Sequence, residues 1–188
     1  MPSVGGIPSV TEILASCGLT QNYGFLPQEK LDLARARGTA LHLAIQWFHE
    51  GTLDETSLHP EIRLGFEAYR AFLEEERWVW EASELELFHP FGVVGHLDLI
   101  GVAPDVGLEI LDLKFSDAPD VKGAARQLAM YGMLWDHNHP DRPHRRRRVL
   151  QITRDGHAKP IDVTNQHHSN VCAAAIVVYQ ERKADGTL

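Results

Sequence analysis

At about Trp78 the spacing of apolar residues changes from every third or fourth position to every second, and that switch limits the fold more than any single motif. Upstream the pattern is helical. "SVTEILASCG" reads as a short helix stopped by Gly18. "QEKLDLARARGTALHLAIQWFHEG" is a long one, with Ala34, Leu41, Ile45 and Phe48 on one stripe and Gly51 as its stop. "PEIRLGFEAYRAFLEEER" is a third, with Ile62, Phe66, Tyr69 and Leu73 inward. From Trp78, "WVWEASELELF", "GVVGHLDLIGV" and "GLEILDLKF" alternate and are rich in branched and aromatic residues, as a three-stranded meander should be. "DVKGAARQLAMYGMLWDHN" returns to helical spacing. "RRVLQIT" and "AKPIDV" follow as strands around "RDGH", and a closing helix runs from about Asn165 to Arg182. This order implies an α/β or α+β sandwich, a central mixed sheet covered by helices, and excludes a bundle or a closed barrel.

Composition narrows the setting. The chain has 188 residues, of which 44% are hydrophobic and 23% charged, enough to bury a core and too apolar for disorder. With no linker or repeat, residues 1–188 are expected to form one domain. No apolar run is long enough to span a bilayer, and "MPSVGGIPSV" lacks the basic start and apolar stretch of a signal peptide, so a cytoplasmic location is expected, without membrane. Cys17 and Cys172 supply neither a disulfide framework nor four thiolates for a cluster or structural zinc. A net charge of -8 excludes indiscriminate coating of nucleic acid, so any such contact must be local.

The third strand is anomalous. "ILDLKFS" sets Asp112 and Lys114 among apolar residues, and strand alternation puts Ile110, Asp112 and Lys114 on one face, Leu111, Leu113 and Phe115 on the other. The preceding strand repeats the anomaly, with Leu97 and Leu99 expected on one side and His96, Asp98 and Ile100 on the other. If "APDVG" is the tip of an antiparallel hairpin, residues whose numbers add to 210 oppose each other, and Asp98 meets Asp112. Two carboxylates about 5 Å apart on a half-buried sheet repel. A divalent cation between them is the economical answer, and carboxylates with a strand carbonyl suit magnesium or manganese.

Taken with these acids, six pieces in order resemble the PD-(D/E)XK nucleases, in particular their RecB-like and phage-exonuclease branch: "SVTEIL", "RGTALH", "SELELFHP", "GHLDLIG", "ILDLK" and "QLAMY". The resemblance spans about Ser9 to Val163 and implies an αβββαβ, restriction-endonuclease-like core. It implies that His42 of the Gly-x-x-x-His motif, Asp98, Asp112 and the Leu113 carbonyl bind Mg2+ or Mn2+, that Glu84 reaches the same metal, and that Lys114 is the catalytic lysine. Glu86 has the parity of Glu84 and is its rival. Gly38 lies one turn before His42, where a missing side chain lets the sheet or a substrate approach. Gln127 and Tyr131, four apart on one helix face, are given a part in holding the substrate strand or the site.

The dense basic run "HRRRR", His144 to Arg148, offers Arg145 and Arg148 as phosphate contacts if the substrate is DNA. His137, His139, His167 and His168 share no matching spacing and read as surface residues. The four cysteines of iron-sulfur relatives and any helicase motor motif are missing from this sequence. The expectation is therefore a metal-dependent deoxyribonuclease acting at single- or double-stranded DNA ends in recombination, repair or phage replication, alone or with a protein partner. A non-catalytic nucleic-acid-binding or assembly module of the same fold is the alternative, distinguished by loss of Lys114 or an acid, and neither is lost here.

Overall fold

Ser9 starts the first helix with a reciprocal cap: its side chain accepts the Glu12 N–H at 3.2 Å while the Glu12 carboxylate accepts the Ser9 N–H at 3.5 Å. That local chemistry begins α1 (Val10–Ser16) in a computed structural model that describes residues 6–21 and 24–188. α2 (Gln28–His49) and α3 (Pro60–Glu76) follow; Pro60 stands in the first turn, where its missing N–H costs nothing, and Arg77 closes α3 in a left-handed conformation. The meander is β1 (Val79–His89), β2 (Val93–Ala103) and β3 (Gly107–Phe115). α4 (Val121–Asn138) then crosses to β4 (Arg146–Ile152), β5 (Ala158–Asp162) turns back, and α5 (Gln166–Ala184) closes the chain.

The five strands form one mixed sheet in the order β1-β2-β3-β4-β5, antiparallel except for the β3–β4 pair, which α4 makes parallel by carrying the chain back across. Helices cover both faces. One cluster packs Val10, Ile13, Leu128, Leu134 and Ile176 of α1, α4 and α5 on Leu97, Ile100, Ile110 and Val149. The other packs Leu41, Ile45, Phe66 and Tyr69 of α2 and α3 on Leu99, Leu111, Leu113 and Leu150. The fold is therefore the α/β sandwich expected from the period change, with the αβββαβ order in its centre. Among the described residues no helix is long and apolar enough to cross a membrane.

The β2–β3 hairpin keeps the expected register, with Leu99 opposite Leu111 and Ala103 opposite Gly107. The expected faces of β2 need correction. Leu97 and Leu99 do not share a side: Leu97 lies in the α4 cluster together with Ile100, whereas Leu99 lies in the α2–α3 cluster. Alternation breaks at Asp98. Pairing with β3 ends at Leu99, and beyond it the Asp98 carboxylate itself accepts the Leu113 N–H at 3.0 Å. Across the other neighbour, β1 is disturbed at the matching place, because Glu84 adopts a left-handed φ of 51° between the pairs Ser83–Leu99 and Leu85–Leu97. Two strands therefore give up regular pairing beside each other, which turns both acids out of the two cores.

Candidate metal centre

His42 projects from the middle of α2 towards this break. Its Nε2 is 3.3 Å from the Leu113 carbonyl oxygen and 3.9 Å from Asp98 Oδ2, and its Nδ1 is 3.5 Å from Glu84 Oε1. One ligand atom each from His42, Glu84 and Asp98 lies within 4.8 Å of the others. One imidazole, two carboxylates and an adjacent strand carbonyl are a donor set that a hard divalent cation such as magnesium or manganese fits. Gln127 and Tyr131 of α4, with Ser9 and Thr11 at the start of α1 and His96 of β2, line the same cleft. Tyr131 accepts from Gln127 Nε2 at 2.9 Å, and its ring fills the space that a side chain at Gly95 would occupy.

Burial lowers the proton affinity of His42, but Asp98, the hydrogen bond to Glu84 and Asp112 outweigh it and raise the pKa to about 9. The metal-free protein thus holds a proton where a cation would neutralise the same acids. Asp112 is 1% exposed, and burial, with Asp98 adding repulsion, raises it to about 6 even though Lys114 opposes the shift. Lys114 Nζ approaches its two oxygens at 2.8 and 2.7 Å.

Each expected residue can now be placed. His42, Glu84, Asp98 and the Leu113 carbonyl come together as expected. Asp112 stands beside them but outside the triad, its carboxylate closed on Lys114. Glu86, the rival of Glu84, instead pairs with His96 at 3.1 Å with a well-exposed side chain. Gly38 lies a turn from His42, and a Cβ built there meets nothing within 4 Å, so close packing on the sheet is not what excludes a side chain.

Arg148 is a correction. Arg148 is 5% exposed and is consumed by the fold: it pairs with Glu109 and Glu76 and lies over the Phe72 ring, so it cannot meet a substrate. Arg145 is exposed but stands just before Arg146, which pairs with Glu109 at the start of β3. Lys114 is five residues further along β3, about 17 Å at the rise of a strand, so Arg145 stands well away from the metal cleft. Ser9, Thr11 and His96 were not assigned roles from sequence. The capping pattern Ser9-x-x-Glu12 was legible, but that it borders the cleft follows only from the bridge between Ser9 and Val94.

No family model matches the chain, and no curated protein does. Among solved structures it is similar to the crystal structure of a "Putative exonuclease" from Eubacterium rectale, with 15% identity and a TM-score of 0.56 over 96% of this chain and 82% of that one. SSO0001 superposes at a TM-score of 0.36 with 12% identity over 75% of this chain and 74% of that one, too loosely to argue from. The first likeness establishes a fold shared with a nuclease-like protein.

Proposed function

We propose that the chain is a metal-dependent nuclease that hydrolyses phosphodiester bonds of DNA, most simply as an exonuclease acting at ends. The observation that carries this reading is the convergence of His42, Glu84 and Asp98 beside the Asp112–Lys114 pair. The printed name of the Eubacterium rectale protein agrees in class, and the order of motifs resembling the RecB-like branch agrees in detail.

His42, Glu84, Asp98 and the Leu113 carbonyl, with Asp112 as a further donor once released from Lys114, would hold Mg2+ or Mn2+. A bound cation supplies charge stabilisation at a non-bridging phosphate oxygen and lowers the pKa of water. Lys114 orients the attacking water and offsets negative charge that grows on the phosphate; in the metal-free protein a direct ion pair with Asp112 holds its ammonium group beside the cleft. The kink at Glu84 and Asp98 presents both carboxylates to one point, so the donor set is arranged before substrate arrives. Gln127, tied to Tyr131, faces the cleft with amide groups suited to a phosphate or sugar oxygen.

The test is digestion of end-labelled linear single-stranded and duplex DNA beside a closed circle, with manganese and with chelator, for the parent and for His42→Ala. Metal-dependent shortening of linear DNA that spares the circle and disappears in the variant is expected. Binding without cleavage at any manganese concentration would reduce the protein to a nucleic-acid-binding module.

A further inference from the structure

α2 is 22 residues long, yet the core uses only its second half. The first of its residues to join either hydrophobic cluster is Ala40, and its buried residues are Leu41, Ala44 and Ile45. Residues 28–39, about 18 Å of helix, stand outside both clusters. Arg37 ties them to α3 through Glu61 at 3.0 Å, and most of the others are exposed, Leu33 at 57%. A helical segment of this length is marginal in water by itself. It persists as the continuation of a packed helix, an arm that begins one turn from the metal ligand His42.

Helical spacing sets Leu31, Arg35, Gly38 and His42 in one row, at intervals of four, three and four. Arg35 is two turns before His42, about 10 Å along the axis and within about 20° of it around the helix. Between them the face is bare, because a Cβ at Gly38 would meet nothing within 4 Å. The Arg35 side chain is 71% exposed and meets Asp32, three residues before it, at 3.4 Å, while Gln28 Nε2 donates to the same carboxylate oxygen at 2.8 Å. An exposed pair of this kind is weak. Its guanidinium is free to exchange the carboxylate for a phosphate, which its planar fork fits at least as well.

The cleft gathers Glu84 and Asp98, with Asp112 beside them, and the chain as a whole carries a net charge of -8. A bound cation offsets those acids at one point only, so the neighbouring phosphates of a strand need positive charge of their own. Arg35 supplies it on the face that leads to the metal. We infer that the exposed half of α2 is an arm along which the bound strand lies, with Arg35 holding a phosphate beyond the one at the metal and the strand crossing the helix over Gly38. This inference rests on the nuclease reading of the cleft and adds the path of the strand and the residue that grips it. Arg35 is too far from His42 to meet the reacting phosphate. Its contact is made equally before and during the reaction, and it therefore lowers KM without changing kcat.

The experiment uses the full chain carrying Lys114→Ala, to stop cutting, with manganese and a fluorescent single-stranded oligonucleotide, and reads affinity by anisotropy across a salt series. Adding Arg35→Ala should weaken the complex about tenfold at low salt and flatten the slope of log affinity against log salt by about 0.7, the share of one phosphate contact. Arg35→Lys should recover much of both. Lys30→Ala removes the same charge from the same arm, but about 120° from His42 around the helix, and should bind within about twofold of its parent. In the chain that keeps Lys114, Arg35→Ala should raise KM about tenfold with kcat and melting temperature unchanged. An unaltered affinity and KM in Arg35→Ala, or an equal loss in Lys30→Ala, overturns the arm and leaves the nuclease reading in place. A chain that neither binds nor cuts the oligonucleotide overturns that reading, and the arm with it.

Discussion

β3 carries two buried acids three residues apart, and their surroundings differ in kind. Glu109 is 0% exposed and lies between Arg146 and Arg148, with Glu76 completing the group, so two negative charges meet two positive ones. Asp112 is 1% exposed and has Lys114, but Asp98 and Glu84 stand nearby with only His42 besides. The first cluster is neutral and closed. The second holds three acids against one lysine and a titrating imidazole, and its excess negative charge faces a cleft. Buried charge that is fully matched serves the fold, whereas buried charge left in surplus calls for a partner from outside.

The largest effect should come from exchanging the two kinds of removal. Lys114→Ala is expected to lower cleavage by about a thousandfold or more while manganese-dependent DNA binding persists. Arg148→Met should instead leave Glu109 buried with a single cation and cost about 3 kcal/mol of stability, while the folded fraction cleaves normally. Turnover assays beside denaturant melts of both variants read the two quantities separately. A stable Arg148→Met protein with a dead active site, or a normally active Lys114→Ala protein, would erase the distinction between the clusters.

The difference was only partly legible in the sequence. Period and punctuation located all five strands and the main helices, since each such element carries its own alternation and stop signals, and the hairpin register followed from a short connection. Motif order singled out His42, Glu84 and Asp98, whose ligand atoms the structure brings together, and Asp112 and Lys114, which pair with each other beside them. The face of Leu97 was misread because alternation presumes unbroken pairing, and a left-handed Glu84 beside a carboxylate that replaces a ladder bond leaves no compositional trace. Arg148 was misread because its partners lie 39 and 72 positions away in the chain. One signal was available: Glu109 is a third charged residue in the same apolar strand, on the face opposite Asp112, and it too required compensation.

Next in size is the response to acid. An Asp112 carboxyl raised from 3.8 to about 6 binds more protons folded than unfolded, so the stability it contributes falls as pH rises through that window. His42, raised from 6.5 to about 9, stabilises the metal-free fold fully below 6.5 and loses that contribution as pH rises through 9. Melting temperature in chelator should therefore decline from about pH 5 to 9 as far as these two groups govern it. Because His42 must shed its proton to bind a cation, manganese affinity should rise about tenfold per pH unit up to pH 9. Calorimetry at several pH values checks this, and a pH-independent affinity would remove His42 from the ligand set.

Asp112→Asn tests the charge surplus itself. The lysine partner is 32% exposed and can turn to water, whereas Asp112 cannot. Losing the carboxylate should thus leave the metal-free protein as stable as the parent or slightly more so at pH 8, abolish cleavage and reduce the melting-temperature gain from manganese. An undiminished gain would show that Asp112 serves Lys114 alone, and marked destabilisation would show that the pair is as closed as the Glu109 group.

The smallest effect lies at Gly38. A glycine inside a helix costs about 1 kcal/mol relative to alanine, and a Cβ at this position would meet no neighbour within 4 Å. Gly38→Ala should therefore raise stability by about that amount if the position matters to the fold alone. It lies one turn from His42 on the same face of α2, so a substrate strand drawn to the metal would pass close to it. The variant is expected to be more stable and yet to have a higher KM for DNA, with manganese binding unchanged. Stability gained without any rise in KM would mean that the strand enters from the α4 side, past Gln127, and that the open space over Gly38 is solvent in the complex as well.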